Sequence, residues 1–196
     1  MWPEIFEFLS AVIAAACCSA AVKLADDYLD KEYDAIAGKA NWAEVLDGGT
    51  MLYAMFLLAV AAGFNASLSL SLFFGSYIVG MFSCLRDKFP SRLNGFQESL
   101  IAFTAGVVLF GWDSMLFAVS FVSAVQLLDD YIDSRSDQLA GQRNLANRFG
   151  RLECFIAFLL CSVLAWEFDD RLFFPALIGT TLIYLLSFGK ERQQVW

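Results

Sequence analysis

Residues 48–85 form a run of 38 residues without one formally charged side chain. A helix rises about 1.5 Å per residue, so a straight helix of this length would measure about 57 Å, nearly two hydrocarbon cores of a bilayer. The run therefore predicts two membrane spans joined by a turn, which we place at Gly63-Phe64-Asn65.

Other apolar runs divide the rest of the chain at polar or glycine-rich breaks. Apolar residues make up 59% of the sequence and charged residues 17%, and the mean hydropathy is +0.59. These values predict an all-α membrane protein, a bundle of about seven transmembrane helices. The N-terminal segment lacks the basic region of a signal peptide, so we expect the first run to remain a span. The predicted spans lie near residues 5–25, 49–62, 66–84, 98–111, 114–128, 152–166 and 171–188.

The basic residues predict the orientation of these spans. Of 13 lysines and arginines, all but Arg171 fall on the side that holds loops 23–48, 85–97 and 129–151 and the C-terminus. By the positive-inside rule this side is cytoplasmic, with the N-terminus outside. The predicted localisation is thus a multi-pass protein of the lipid bilayer.

Charge and composition exclude several classes of function. The net charge of −8 argues against nucleic-acid binding, which needs a basic surface. The chain has no histidine, so histidine triads and histidine-ligated metal sites are excluded.

The chain contains an internal repeat. A shift of 103 positions aligns residues 24–43 with residues 127–146 and gives ten identities. The same shift carries the first three predicted spans onto the last three. The prediction is a single transmembrane domain, 1–196, in which two parallel three-helix repeats, about 5–84 and about 114–188, flank a connecting helix near 98–111.

Each repeat carries an acidic motif, D-x-x-D-x-x-x-D, at the cytoplasmic end of a span. Spacings of three and seven place the three carboxylates on one stripe of a helix, where like charges repel. Mg²⁺ would relieve this repulsion, because it binds one or two carboxylates together with phosphate oxygens. Two such stripes facing each other could hold Mg²⁺ around a diphosphate; the bland alternative is a solvated acidic helix end. The predicted catalytic and metal-binding residues are Asp27, Asp30, Asp34, Asp130, Asp133 and Asp137.

Neighbouring polar residues are candidates for binding the substrate. An extra aspartate precedes each motif, basic residues flank both motifs or lie in the 85–97 loop, and a tyrosine follows the first aspartates of each motif. Cytoplasmic loops are basic and interfaces are aromatic in any case, so the structural interpretation stays open for these residues. They are Asp26, Asp129, Lys23, Lys39, Lys88, Arg92, Arg143, Tyr28 and Tyr131.

The paired motifs resemble those of the UbiA superfamily of intramembrane prenyltransferases. That family has an (N/D)-D-x-x-D-x-x-x-D motif and a second aspartate-rich motif in the other half of an internal repeat. The segment after Asp137, with Gly141, Arg143 and Leu145, is similar to the family's D-x-x-x-G-x-(K/R)-T-L continuation, and Asn144 stands where the family has threonine. The loop Lys88-Phe89-Pro90 is similar to the family's cytoplasmic cap segment.

The resemblance implies an enzyme that ionises an allylic isoprenyl diphosphate with Mg²⁺ and transfers the prenyl group to a small aromatic or lipid acceptor. It implies a helical bundle with a central cavity open to the bilayer. Family members carry more spans than this chain, so a homo-oligomer could supply the missing walls.

Other functions remain open on the sequence. A terpene cyclase could use the same site, and a non-catalytic relative could bind the isoprenoid diphosphate without turnover. A CDP-alcohol phosphotransferase would need a D-G-x-x-A-R segment, whereas Asp47-Gly48 continues as Gly49-Thr50. A cation transporter would place its carboxylates near the middle of the membrane.

Overall fold

A computed structural model of the chain describes residues 2–38, 41–141 and 144–194, and these residues are helical apart from turns and short loops. This confirms the all-α prediction for the described part of the chain. The helices are α1 (Trp2–Leu29), α2 (Lys31–Ala37), α3 (Trp42–Leu46), α4 (Thr50–Gly80), α5 (Gly95–Phe110), α6 (Trp112–Ala140), α7 (Leu145–Phe149), α8 (Arg151–Phe168) and α9 (Asp170–Gln194). Short 3₁₀ turns cover Asp47–Gly49 and Met81–Cys84.

Four helical stretches are long and apolar enough to cross a membrane, as expected of an integral membrane protein. They are Trp2–Leu29, Trp42–Gly80, Trp112–Leu139 and Asp170–Ser187, and Gly95–Phe110 is a shorter apolar helix. Many large apolar side chains on these helices are exposed, among them Leu52 and Val108. Such a surface suits contact with lipid.

The long charge-free run is interrupted at the predicted turn. Asn65 has non-helical backbone angles (φ −151°, ψ 95°) within α4. Its side-chain oxygen accepts a hydrogen bond from the backbone N–H of Leu68 at 3.0 Å. Asn65 thus acts as an N-cap for the second segment of α4, and the predicted break at residues 63–65 is confirmed.

Two further predicted breaks also coincide with helix ends. Helix α5 ends at Gly111, whose φ of +88° is readily adopted only by glycine, and α6 begins at Trp112. Between α8 and α9, Asp169 is extended and its side chain accepts a hydrogen bond from the N–H of Leu172 at 3.0 Å. A glycine and a polar cap therefore separate these apolar segments.

The chain divides into two compact units, one of residues 1–69, 139–142 and 174–196 and the other of residues 70–138 and 143–173. Small residues bring helices together in the first unit. A Cβ added to Gly179 of α9 would lie 2.6 Å from the carbonyl oxygen of Val12 in α1. The hydroxyls of Ser19 and Thr180 form a hydrogen bond of 2.9 Å between the same helices.

Aromatic and sulfur-containing side chains fill the core of the second unit. Met115, Phe117 and Phe121 of α6 are buried, and the rings of Phe117 and Phe121 stack at 5.7 Å. Met115 occupies the space that the missing side chain of Gly106 leaves on α5. The residues of α6 that follow this core carry the second acidic motif.

Candidate functional site

The first acidic motif spans the junction of two helices. Helix α1 ends at Leu29, Asp30 has a φ of −95° and a ψ of 6°, and α2 begins at Lys31. Backbone hydrogen bonds from Asp30 to Asp26 and from Asp34 to Asp30, each 2.9 Å, carry the helical pattern across the junction. The carboxylates predicted to share a stripe therefore stay in helical register despite the bend.

Asn41 joins the two ends of the first motif. Its side-chain nitrogen donates to the carbonyl oxygen of Asp27 at 2.7 Å and to the Asp34 carboxylate at 2.7 Å. The other carboxylate in this arrangement, that of Asp27, accepts the backbone N–H of Trp42 at 3.0 Å. These bonds fasten α3 to α1 and α2. We call the bonded set of Asp27, Asp34, Asn41 and the Trp42 N–H the first asparagine clamp.

The second motif contains the same arrangement at positions shifted by 103. The side-chain nitrogen of Asn144 donates to the carbonyl oxygen of Asp130 and to the carboxylate of Asp137, both at 2.8 Å. The carboxylate of Asp130 accepts the backbone N–H of Leu145 at 3.0 Å. This is the second asparagine clamp, and each of its bonds has a counterpart in the first.

The backbone around the two clamps is also duplicated. Gly38 and Gly141 have φ values of +68° and +71°, a conformation that a side chain would strain. Asn41 and Asn144 are both extended N-caps of five-residue helices, α3 and α7. Both motifs thus lead through a left-handed glycine into a capped short helix, so the sequence repeat corresponds to a repeat of local structure in these segments.

The clamps divide the six predicted aspartates into two kinds. Asp27, Asp34, Asp130 and Asp137 are buried, whereas Asp30 and Asp133 are half-buried. Burying a carboxylate is costly unless it is hydrogen-bonded or paired, and the clamp bonds supply that compensation. The outer aspartates of each motif therefore have a structural role in addition to any role in chemistry.

The remaining candidates near the first motif have mixed environments. Lys23 pairs with Asp27, Nζ to Oδ1 at 3.0 Å, as a neighbour one helical turn earlier. Asp26 and Tyr28 are exposed. Lys39 lies outside the described residues.

Near the second motif, Tyr131 has an aromatic and cationic environment. The guanidinium of Arg151 lies 4.7 Å from the centre of its ring, and the ring of Phe155 lies at 5.6 Å. Asp129 is half-buried. Arg143 lies outside the described residues.

The basic loop between α4 and α5 belongs to the second unit. Lys88 and Arg92 are both exposed there, and Arg92 has a φ of +68°. Lys88 forms an isolated bridge with Asn94, which caps α5 in a capping box with Gln97. This loop therefore has a defined shape.

One polar atom in the second motif lacks a partner. The hydroxyl of Ser134, a residue 2% exposed, has no hydrogen-bond partner in the part of the chain that the structure describes. Ser134 follows Asp130 by four residues and precedes Asp137 by three, so it lies on the same stripe of α6. A buried hydroxyl without a partner costs about 1–3 kcal/mol, which a ligand oxygen could recover.

Within residues 2–38, 41–141 and 144–194, no group of three or more cysteine, aspartate or glutamate side chains is arranged to hold a metal ion by itself. Mg²⁺ typically binds one or two carboxylates and completes its shell with water and phosphate oxygens. The carboxylates of each motif and the Ser134 hydroxyl are hard oxygen donors, so the residues present suit Mg²⁺ bound together with a phosphorylated ligand. The predicted magnesium site stays a prediction.

Reasoning from the sequence missed the asparagine clamps. Asn41 and Asn144 were visible as identical residues at equivalent positions of the repeat. Their partners lie seven and fourteen residues earlier, beyond a left-handed glycine, so helical periodicity could not connect them. The repeat itself was the signal that could have identified both asparagines as part of the site.

Comparison with known proteins yields no significant match among family models, curated proteins or solved structures. The resemblance to the UbiA superfamily therefore depends on the motif residues alone, and membership of that family remains a hypothesis.

Proposed function

We propose that the protein is a Mg²⁺-dependent intramembrane prenyltransferase. It would ionise an allylic isoprenyl diphosphate at the two aspartate-rich motifs and transfer the prenyl group to a hydrophobic acceptor. The observation that carries this proposal is the duplication of one acidic arrangement, in which an asparagine side chain binds one buried carboxylate of each motif and a backbone N–H binds the other. A solvated acidic helix end, the alternative interpretation, does not require the same set of hydrogen bonds in both motifs.

The clamps favour binding of a cationic group by holding negative charge in place. The outer aspartates cannot swing away from the motif, because their carboxylates are bonded to Asn41, Trp42, Asn144 and Leu145. Preorganised charge stabilises a developing charge without the cost of reorganisation. The half-buried Asp30 and Asp133, in the middle of the motifs, are the carboxylates that we assign to the cation.

Mg²⁺ bound at the motifs would neutralise the diphosphate leaving group. Lys23 would keep the Asp27 carboxylate oriented, since the two side chains already form an ion pair. Lys88 and Arg92, with Lys39 and Arg143, would bind diphosphate oxygens. Tyr28 and Tyr131 would face the allylic cation with their rings.

The finer organisation of the chain is part of the same proposal. We propose seven spans in two parallel three-helix repeats, with the N-terminus outside and both motifs on the cytoplasmic side. The helix breaks at Asn65, Gly111 and Asp169 support the number of segments. Labelling of single introduced cysteines from either side of sealed vesicles, in a background without the native cysteines, tests the orientation.

Diphosphate release by the purified protein tests the function. Geranyl, farnesyl and geranylgeranyl diphosphates are supplied with a lipid extract, first with Mg²⁺ and then with EDTA. Asp30→Asn and Asp133→Asn remove one charge from each motif. Glu32→Gln is the matched control, because Glu32 is an exposed acid on α2 between Asp30 and Asp34.

We expect diphosphate release that requires Mg²⁺ and is lost in both aspartate variants. The Glu32→Gln variant should release diphosphate at the wild-type rate. Release that persists in EDTA or in both aspartate variants would contradict the proposal. Binding of the diphosphate without release would identify a non-catalytic relative. Release that yields cyclic products without any acceptor would identify a terpene cyclase.

A further inference from the structure

An open apolar cavity of about 470 Å³ lies in the second unit between α6, α7 and α8. A volume of this size falls within the range of small-molecule pockets in proteins. Its walls are apolar except for one carboxylate and one thiol. The lining residues are Leu127, Leu145, Phe149, Glu153, Cys154 and Ala157.

The equivalent place in the first unit is filled. Shifting the lining residues by 103 positions leads to Leu24, Trp42, Leu46 and Ala54. Leu24 and Ala54 are buried in one apolar cluster, and Trp42 and Leu46 pack against it. The same local scaffold therefore packs against an apolar cluster in one unit and borders an open cavity in the other.

The residue that distinguishes the two places is Trp42, whose counterpart is Leu145. The backbone N–H groups of both residues are held by an aspartate carboxylate at 3.0 Å, so both side chains start from equivalent, fixed positions. Leucine is much smaller than tryptophan, and Leu145 lines the open cavity where Trp42 packs against the apolar cluster of the first unit. Phe149 does not fill it, because its side chain is 62% exposed and its ring carries the guanidinium of Arg148 at 5.0 Å.

The cavity has a negative group at its rim. Glu153 is exposed and takes the place of Thr50, which is buried in the first unit. Its carboxylate folds back over Gly150, where an added Cβ would lie 2.0 Å from Oε2. This position at the first turn of α8 suits a negative charge, because the N-terminus of a helix carries partial positive charge.

Hydrogen bonds fix two of the residues that line the cavity. The thiol of Cys154 donates to the carbonyl oxygen of Leu127 at 3.2 Å, which joins α8 to α6. The N–H of Leu145 is fixed by Asp130. Two hydrogen bonds thus fix residues that line the cavity.

We propose that this cavity binds a flat aromatic compound of about the size of an indole that carries a cationic or N–H donor group. The ring would occupy the space that the Trp42 indole occupies in the first unit, and the donor would bind the Glu153 carboxylate. An aromatic occupant is favoured because the Trp42 side chain packs at the equivalent place in the first unit. A donor group is favoured because the Glu153 carboxylate lines the cavity. The site uses none of the acidic-motif side chains and does not depend on the proposed transfer reaction.

Ligand titration by fluorine NMR tests the proposal on the full chain in detergent micelles. The probes are 5-fluorotryptamine, 5-fluoroindole and 5-fluoroindole-3-acetate, which are cationic, neutral and anionic. We expect the affinities to fall in that order, and Glu153→Gln to abolish the preference for the cation. Empty micelles measure partition into detergent.

Leu145→Trp fills the cavity with the residue of the first unit, and Ala157→Phe fills it from α8. Both variants are expected to weaken binding by about tenfold or more, the scale of excluding a group from an apolar pocket. Leu160→Trp is the matched control, because Leu160 is an exposed residue of the same helix. Two different filling variants are used so that one can replace the other if it does not fold. The titration of the wild-type protein tests the proposal without either variant.

Absence of saturable binding by the wild-type protein would overturn the proposal. So would equal affinities for the wild-type protein and a folded filling variant. Equal affinities for the anionic and cationic probes would show that Glu153 does not bind the donor group. That result would exclude aromatic compounds with a donor group as the ligand class.

Discussion

The side-chain amide of Asn41 donates to the carboxylate of Asp34 at 2.7 Å, and the same nitrogen also binds the carbonyl oxygen of Asp27. Asn144 repeats both bonds in the second motif. A single amide group therefore closes each acidic segment, because its two hydrogens satisfy acceptors that are seven residues apart.

Replacing either clamp asparagine should destabilise the protein. Asn41→Ala and Asn144→Ala each remove two hydrogen bonds, one to a buried carboxylate and one to a backbone carbonyl, and each bond contributes about 0.5–1.5 kcal/mol. Thermal unfolding in detergent should show two similar decreases in the midpoint. Gln138→Ala removes an exposed amide from α6 and should leave the midpoint unchanged. A wild-type midpoint in both asparagine variants would contradict the clamps.

Charge removal at the first aspartate of each motif should separate activity from folding. In Asp27→Asn and Asp130→Asn the remaining side-chain oxygen can still accept the N–H of Trp42 or Leu145. We expect the folded protein to persist and Mg²⁺-dependent diphosphate release to fall by about 100-fold or more, the scale expected for loss of one electrostatic contact in an active site. Full activity in either folded variant would exclude the two-motif mechanism.

Close packing of α1 against α9 should make Gly179 intolerant of a side chain. The added methyl group of Gly179→Ala would lie 2.6 Å from the Val12 carbonyl oxygen and 2.8 Å from the Ala16 nitrogen, so the helices must move apart. We expect a loss of about 1–3 kcal/mol in unfolding free energy. Gly63→Ala is the control, because a Cβ at Gly63 meets nothing within 4 Å. Equal midpoints for the two variants would show that the contact carries no energy.

The kink in α4 should depend on the cap formed by Asn65. Asn65→Ala removes the acceptor for the Leu68 N–H and is expected to cost about 1 kcal/mol, whereas Asn65→Ser keeps an acceptor and should cost less. Thermal midpoints of the two variants measure the difference. An alanine variant as stable as the serine variant would mean that packing alone sets the kink.

Much of the helical organisation could be predicted because apolar runs and their breaks are local properties. Asn65, Gly111 and Asp169 lie at or beside predicted breaks and carry caps or a left-handed backbone that sequence reasoning anticipates. The helices also extend beyond the predicted spans. Helix α6 continues to Ala140, past the predicted span end at residue 128, as the helical spacing of the second acidic motif predicts.

The candidate site was predictable only in part. Spacing correctly placed the residues of each motif in one helical register, since the second motif lies within α6 and backbone hydrogen bonds carry the helical pattern across the first motif. It could not show that the outer carboxylates hold α3 and α7, because those contacts form only when the chain folds back. The cavity could not be predicted from the sequence. The exchange of Trp42 for Leu145 indicates it only when the packing around both residues is known.

That difference has an evolutionary meaning. A duplicated segment begins with two equal copies, and any change in one copy must leave a scaffold that still folds. Here the hydrogen-bonded frame around Trp42 and Leu145 is the same in both copies, although the side chains inside it differ. Such a frame lets two copies of one segment diverge in the residues that they surround while both keep the same backbone bonds.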